Sequence, residues 1–193
     1  MSGIEITKLC RTFGDVKAVK DVSFTVPEKS FTVLLGPSGC GKSTLLRMIC
    51  GLESSTSGSV QIGGRDVTEV PASDRGVSMV FQSYALFPHL SVKENIQFGL
   101  KVRRVPRKER DERVKYAADV VGLNELLDRK PANLSGGQRQ RVALARSIVS
   151  EKSVCLMDEP LSNLDAKLRA EMRDQIRSLQ QRLGLTVVYV THD

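Results

Sequence analysis

The run Gly36-Pro37-Ser38-Gly39-Cys40-Gly41-Lys42-Ser43-Thr44 has the composition and spacing of a phosphate cradle. Glycines let successive backbone N–H groups turn inward around an anion, and a helix that begins at the loop adds the positive end of its dipole. Lys42 can reach the outer phosphates of a nucleoside triphosphate, and Ser43 offers a hydroxyl to the Mg²⁺ that accompanies them. Glycine and serine alone would make only a turn. Lys42-Ser43 directly after Gly41, with an apolar strand in front of the loop, points instead to nucleotide binding.

Three further groups could do chemistry. Asp158 and Glu159 follow the apolar run Val154-Cys155-Leu156-Met157. Adjacent acids at a strand end repel one another without a cation, so Asp158 is a candidate for holding Mg²⁺ through water and Glu159 for polarising an attacking water. The other reading has both acids capping the next helix. Leu134-Ser135-Gly136-Gly137-Gln138-Arg139-Gln140-Arg141 precedes Val142, Ala145, Ile148 and Val149 at helical spacing. Ser135 is a candidate N-cap, and the two glycines leave helix-start N–H groups open to a second anion. Gln82 ends the run Val77–Phe81, at the carboxyl end of a strand, where α/β sheets bind ligands. For the lone His192, spacing assigns no role.

These groups require particular elements to position them. Ile4-Glu5-Ile6, Val22–Val26 and Phe31–Leu35 alternate as short strands, with Phe13 before Gly14 in the turn between the first two. A helix follows the loop through Leu45-Leu46-Arg47-Met48-Ile49-Cys50 and stops at Gly51. Ser57-Gly58-Ser59 and Gly63-Gly64 read as turns around the strand Val60-Gln61-Ile62. From Pro88 to Asn133 charge rises, and Val114, Ala117, Ala118 and Val121 fall at helical spacing before Gly122, which predicts a helical insertion. From Asp165, Leu168, Met172, Ile176, Leu179 and Leu183 form a core stripe closed by Gly184, and Thr186–Val190 reads as one more buried strand. The fold class is α/β: a mainly parallel core sheet flanked by helices, an N-terminal antiparallel β layer and a helical insertion.

Composition narrows the class. The chain has 193 residues, 40% hydrophobic and 26% charged, which suits one globular domain with a real core. Its formal charge of +7 favours an anionic partner, and a nucleotide site with a membrane-surface location accounts for the sign. Lys101-Val102-Arg103-Arg104-Val105-Pro106-Arg107-Lys108 reads as a solvated segment and not as a nucleic-acid groove, because no aromatic residue interleaves it. Cys10, Cys40, Cys50 and Cys155 lack metal-site or disulfide spacing and fit a reducing compartment. Cys40 lies at a helix start, a position that favours a thiolate. No basic-then-apolar leader opens the chain at Met1, Ser2 argues against myristoylation, and no run of about eighteen apolar residues occurs.

Taken together, these residues resemble the nucleotide-binding domain of an ATP-binding cassette (ABC) transporter, a P-loop NTPase, over essentially the whole chain. The matching text is the Walker A loop Gly36–Thr44, the glutamine loop at Gln82 and the signature Leu134-Ser135-Gly136-Gly137-Gln138. It continues with the Walker B acids Asp158-Glu159, the D-loop Ser162-Asn163-Leu164-Asp165 and the switch histidine His192. The resemblance implies one ABC ATP-binding domain over residues 1–193, with a helical subdomain inserted at about residues 88–140 and the C-terminal part of the family domain absent after Asp193. It implies ATP and Mg²⁺ as cofactors, with Phe13 stacking on adenine and Ser43, Gln82 and Asp158 on the metal. Glu159 would be the catalytic base, with His192 holding the γ-phosphate.

The resemblance also implies two domains paired head to tail, as a homodimer or with another ABC subunit, each signature facing the partner's ATP. That gives the second glycine-paired helix start a purpose. Phe81–Leu90 and Asp158–Arg169 are similar to bacterial importers of the carbohydrate group, including maltose and glycerol-3-phosphate systems, and to polyamine and ferric iron importers. Expected partners are integral-membrane permease subunits and, indirectly, an extracytoplasmic solute-binding protein, with no nucleic acid. The expected place is peripheral, on the cytoplasmic side of the inner membrane. With no neighbour beyond His192, the strand Thr186–Val190 is expected to present an apolar edge. Two other readings stand beside this one. One is a soluble ABC ATPase outside transport, which usually has a coiled-coil insert or a second cassette. The other is a shortened cassette that binds nucleotide without being a competent ATPase.

Overall fold

The computed structural model describes residues 3–192. Met1 and Ser2, on which the N-terminal reading rests, and Asp193 lie outside them. The chain forms two compact units. The first takes residues up to Met79, Ser153–Glu159 and the stretch from Arg173 onward; the second takes Val80–Lys152 and Pro160–Met172.

The first unit holds β1 (Ile4–Phe13), β2 (Val16–Val26), β3 (Phe31–Leu35), α1 (Lys42–Cys50), β4 (Ser57–Ile62), β5 (Arg65–Asp66), β6 (Val77–Val80), β7 (Val154–Asp158) and β8 (Thr186–Thr191). One sheet has the order β2-β1-β4-β5 and is antiparallel; the other has the order β3-β8-β7-β6, with β8 parallel to both of its neighbours. Every residue of β7 is buried, as its unbroken apolar run requires of a strand covered on both faces. In β1, Ile4 and Ile6 are buried and Glu5 and Thr7 exposed, the period of two that a one-sided sheet imposes. The α1 side chains Leu46 and Ile49 join the core with Ile4, Val26, Leu156 and Val188. Each such side chain contributes roughly 1.5–3 kcal/mol of hydrophobic stabilisation. Gly51 ends α1 at φ 82°, its N–H bonded to the carbonyls of Arg47 and Met48.

Several expectations need correction. The first two strands are far longer than their alternation indicates, because bulges interrupt the register: Lys8 and Asp21 adopt φ of 46° and 45°. Phe13 is therefore the last residue of β1, not part of the turn. Ser57-Gly58-Ser59 is strand, not turn; Gly58, at φ 84°, passes so close to the Lys8 backbone that a Cβ would collide with it. Strand β8 has no free edge, since β3 pairs with it on one side and β7 on the other. The strands at the two ends of the order are β3 and β6, and in β3 Val33 is 49% and Leu35 70% exposed. Lys29 takes φ 56° in the turn before β3, a conformation that glycine adopts without strain.

The second unit contains α2 (Val92–Val102), α3 (Arg107–Val121) and α4 (Gly136–Ile148), with α4 packed on both of the others. Ser91 opens α2 with a capping box, its hydroxyl accepting from the Glu94 N–H while Glu94 accepts from the Ser91 N–H at 2.8 Å. That bond holds the Glu94 carboxyl below its usual value. Helix α3 begins after Pro106, stops at Gly122 with φ 68°, and buries Val114, Ala117 and Ala118. The basic corner from Lys101 to Lys108 is solvated, with every cation in it exposed. Helix α5 (Ala166–Leu183) contributes residues to both units; Met172 and Ile176 of its stripe are fully buried, while Leu168, Leu179 and Leu183 are half-buried.

Candidate nucleotide site

Three segments leave the first unit's parallel strands at the same end. Leu35 lies opposite Thr191, and Asp158 opposite Val190, so the loop after β3, the acid after β7 and the histidine after β8 emerge side by side. Within the loop, Gly39 and Gly41 adopt φ of 80° and 96°. A Cβ at Gly41 would strike the Ala18 carbonyl, so this position needs glycine for space as well as for backbone. Lys42 curls back over the loop, its Nζ donating to the Gly36 and Pro37 carbonyls at 2.7 Å each and lying 3.6 Å from Cys40 Sγ.

Ser43, at the start of α1, donates its hydroxyl hydrogen to Asp158 Oδ1 at 2.6 Å. Asp158 is buried, 4% exposed, so this donor offsets part of the cost of keeping a carboxylate there. Glu159 takes φ 43°, its N–H donates to the Val190 carbonyl at 3.1 Å, and Oε2 lies 3.1 Å from His192 Nδ1. The adjacent acids thus have separate partners: Asp158 faces the loop and Glu159 the histidine. The carboxylate that caps the following helix is that of Asp165, which accepts the Leu168 N–H at 2.9 Å.

A cleft of ≈ 740 Å³ beside the loop is lined by Val16, Ala18, Lys20, Cys40 and Leu45, among others. Phe13 is 44% exposed, and the Arg11 guanidinium carbon lies 4.5 Å from the centroid of its ring. Val16, across the turn, supplies apolar wall to the cleft, and its only sequence signal is its place just beyond Gly14-Asp15. Arg75 also escapes sequence reasoning. Only 7% exposed, it donates to the Met48 and Ile49 carbonyls at the C-terminal end of α1 and to the Thr68 and Val70 carbonyls beyond β5. It also sits beside Cys50, whose thiol burial pushes up to about 11 although the guanidinium pulls it down.

In the second unit, Ser135 caps α4 as its type predicts, its Oγ accepting from the Gln138 N–H at 3.3 Å and Gln138 Oε1 accepting from the Ser135 N–H at 2.9 Å. The glycines there have a packing role that the sequence reading did not contain: a Cβ on Gly136 would press on Leu164, and one on Gly137 on Leu168. Gln82 is exposed, and its carbonyl accepts from Asn163 Nδ2 at 2.9 Å.

Comparison with known proteins decides the family: residues 19–162 match the model of the ABC transporter family. The chain belongs to the ABC transporter family. The loop Gly36–Thr44, the run Leu134–Gln138 and the acids Asp158-Glu159 all lie within the matched residues. The trehalose/maltose import ATP-binding protein MalK of Thermococcus litoralis is 55% identical over all of this chain and 54% of its own length. The sn-glycerol-3-phosphate import ATP-binding protein UgpC 3 of Rhizobium etli is 56% identical over all of the chain and 56% of its own. The chain spans about half the length of the curated relatives it matches. Among solved structures, cbiO1 of Clostridium perfringens, part of the ABC transporter complex cbiONQ, superposes with a TM-score of 0.87 at 29% identity, covering 98% of this chain and 78% of that one. The ABC cassette is thus an α/β P-loop fold with one parallel and one antiparallel sheet. None of the helices among the described residues is long and apolar enough to cross a membrane.

Proposed function

We propose that this chain binds MgATP and hydrolyses it as the motor portion of an ABC importer. The observation that carries the reading is the 2.6 Å contact between Ser43 and Asp158, which places a hydroxyl and a carboxylate together beside the phosphate loop. This all-oxygen donor pair suits Mg²⁺, a hard cation that takes one or two protein oxygens together with substrate phosphates. Bound there, the ion would neutralise charge developing on the β- and γ-phosphate oxygens. Ser43 and Asp158 would hold it, with Gln82 as a further oxygen donor.

The chain's own residues do the rest. Backbone N–H groups from Gly36 to Thr44 and the start of α1 bind phosphate oxygens, and Lys42 moves from loop carbonyls to the outer phosphates. Glu159 takes the proton of the attacking water, and His192, 3.1 Å from its carboxylate, orients that carboxylate and the γ-phosphate. Phe13 stacks on the base. Ser135, Gly136, Gly137 and Gln138 read the ATP held by a partner cassette, with Asp165 and the D-loop at the same junction.

The close relatives' names, import of trehalose/maltose and of glycerol-3-phosphate, support an importer of small polar solutes. In that role the chain pairs with a second cassette and sits on the cytoplasmic side of the inner membrane against permease subunits, which a solute-binding protein serves from outside.

Phosphate release by the purified chain, run beside Glu159→Gln, tests the proposal. Removal of a general base lowers the rate by roughly 10²- to 10⁴-fold, with nucleotide binding retained and an ATP-dependent dimer trapped. Equal rates for the two proteins remove Glu159 from its role. Binding without hydrolysis or dimer in the parent chain makes it a nucleotide-binding portion whose turnover depends on other segments.

A further inference from the structure

The segment from Gln82 to Leu90 contains neither helix nor strand, yet side chains from two helices and one loop hold its backbone. Asn163, between β7 and α5, donates from Nδ2 to the Gln82 carbonyl at 2.9 Å. Arg146, on the helix that the signature starts, donates from Nη1 to the Ala85 carbonyl, and its guanidinium carbon lies 5.2 Å from the centroid of the Phe87 ring. Asn95, fully buried on α2, accepts the Phe87 N–H at 2.8 Å and donates to the carbonyls of Phe87, Leu90 and Ser91. All these residues belong to the second unit.

The backbone explains why so many clamps are needed. Tyr84 and Ala85 are consecutive non-glycine residues at φ of 63° and 47°, a conformation that persists only where surrounding contacts over-determine it. Tyr84 is 7% exposed, and its turn is closed by its N–H donating to the Phe81 carbonyl at 2.9 Å. A loop free to relax would move these residues to negative φ and swing the Gln82 side chain away. Arg146 answers the second strained residue directly, because its acceptor is the carbonyl of Ala85. Asn163 fixes the carbonyl of Gln82 itself.

We propose that Arg146 and Asn163 are positioning residues of the glutamine loop, tying the signature helix and the D-loop to the backbone that presents Gln82. Hydrogen bonds to a loop's backbone can fix a side chain's direction without touching substrate. The consequence is a split of labour. Nucleotide affinity belongs to the Walker A loop, whereas the rate of turnover follows the backbone that presents Gln82. The inference rests on the reading of Gln82 as a contact to the nucleotide's metal.

The test uses Asn163→Asp, which keeps the shape but has no N–H to donate, and Arg146→Lys, which keeps the charge but loses the planar stack. Hydrogen exchange of the amides between Gln82 and Phe87 is measured alongside kcat and KM for ATP. Both variants should exchange about tenfold or more faster in that segment, with α1 amides and the unfolding midpoint little changed. Because small misplacements of positioned groups are costly, kcat should fall by about 10- to 100-fold at constant KM. Unchanged exchange in the loop overturns the clamp, whether or not the chain hydrolyses ATP. Faster exchange with kcat intact overturns the positioning role. A loss of stability spread over the whole unit, with KM and kcat changing together, makes both residues structural only. A parent chain without turnover counts against the proposed function, while the exchange result still decides the clamp.

Discussion

Ser43 and Asp158, 115 residues apart in sequence, share a single short hydrogen bond of 2.6 Å. It joins the first turn of α1 to the end of β7, so an error in either element appears at the same atom. Ser43→Ala leaves a buried carboxylate short of a donor, which should lower stability by about 1–3 kcal/mol. Titration calorimetry should show nucleotide binding weakened about tenfold or more in Mg²⁺ and nearly unchanged in EDTA. Equal losses in both buffers would mean that Ser43 supports the loop and not the metal.

Gly41 and Gly39 both take positive φ, but only Gly41 faces a collision. Gly39→Ala meets open space and should cost only the left-handed backbone, about 1–2 kcal/mol. Gly41→Ala adds the clash with the Ala18 carbonyl, should cost about 3 kcal/mol or more, and should abolish nucleotide binding by deforming the loop. Thermal melts of the two variants side by side check the ranking; equal midpoints would refute the close approach.

The cysteines should separate by environment. Cys40 is exposed within the Walker A loop beside the Lys42 ammonium, whereas Cys50 and Cys155 are buried. A maleimide at pH 8 should label Cys40, block nucleotide binding and be slowed by MgATP, with mass spectrometry finding Cys50 and Cys155 unmodified; labelling of Cys40 that leaves binding intact defeats this.

Cys50 adds a pH dependence. Its thiol is pushed from 9.0 to about 11 by burial. Between those values the unfolded chain loses a proton that the folded chain keeps, so stability must fall as pH rises from about 9 towards 11. Denaturation curves of the parent and Cys50→Ala should diverge only in that window, the parent falling more steeply; parallel curves show that Cys50 titrates normally.

Arg75 should matter more than any exposed cation. Arg75→Met keeps most of the stem but strands carbonyls of Met48, Ile49, Thr68 and Val70. A loss of about 3 kcal/mol is expected, read as a lower urea midpoint at constant slope, with Arg75→Lys recovering part of it. A loss under 0.5 kcal/mol would make the clamp incidental.

Local chemistry was legible wherever one residue type answers one backbone need. Gly51 and Gly122 end their helices at positive φ, and Ser135 caps α4, as their types and places indicate. The signature and Walker motifs carried the family. What the sequence hid is long-range. Bulges at Lys8 and Asp21 break the alternation that marks a strand, so β1 and β2 read as fragments. Strand order is no local property, and an edge expected at β8 lies at β3 instead. Arg146 and Asn163 bind backbone far from their own positions, and no spacing rule announces such contacts. The same holds for Gln180, a buried polar residue in an apolar stripe, which donates to the carbonyls of Lys29 and Leu185.

Arg75 fastens the far end of α1 to the stretch that follows β5. Mechanically, the helix is a beam pinned at both ends, by Ser43 to Asp158 beside the phosphate loop and by Arg75 at the other. Releasing the guanidinium would leave that end of the rod held by packing alone, so the Thr68–Val70 stretch is part of what fixes the helix along its own axis.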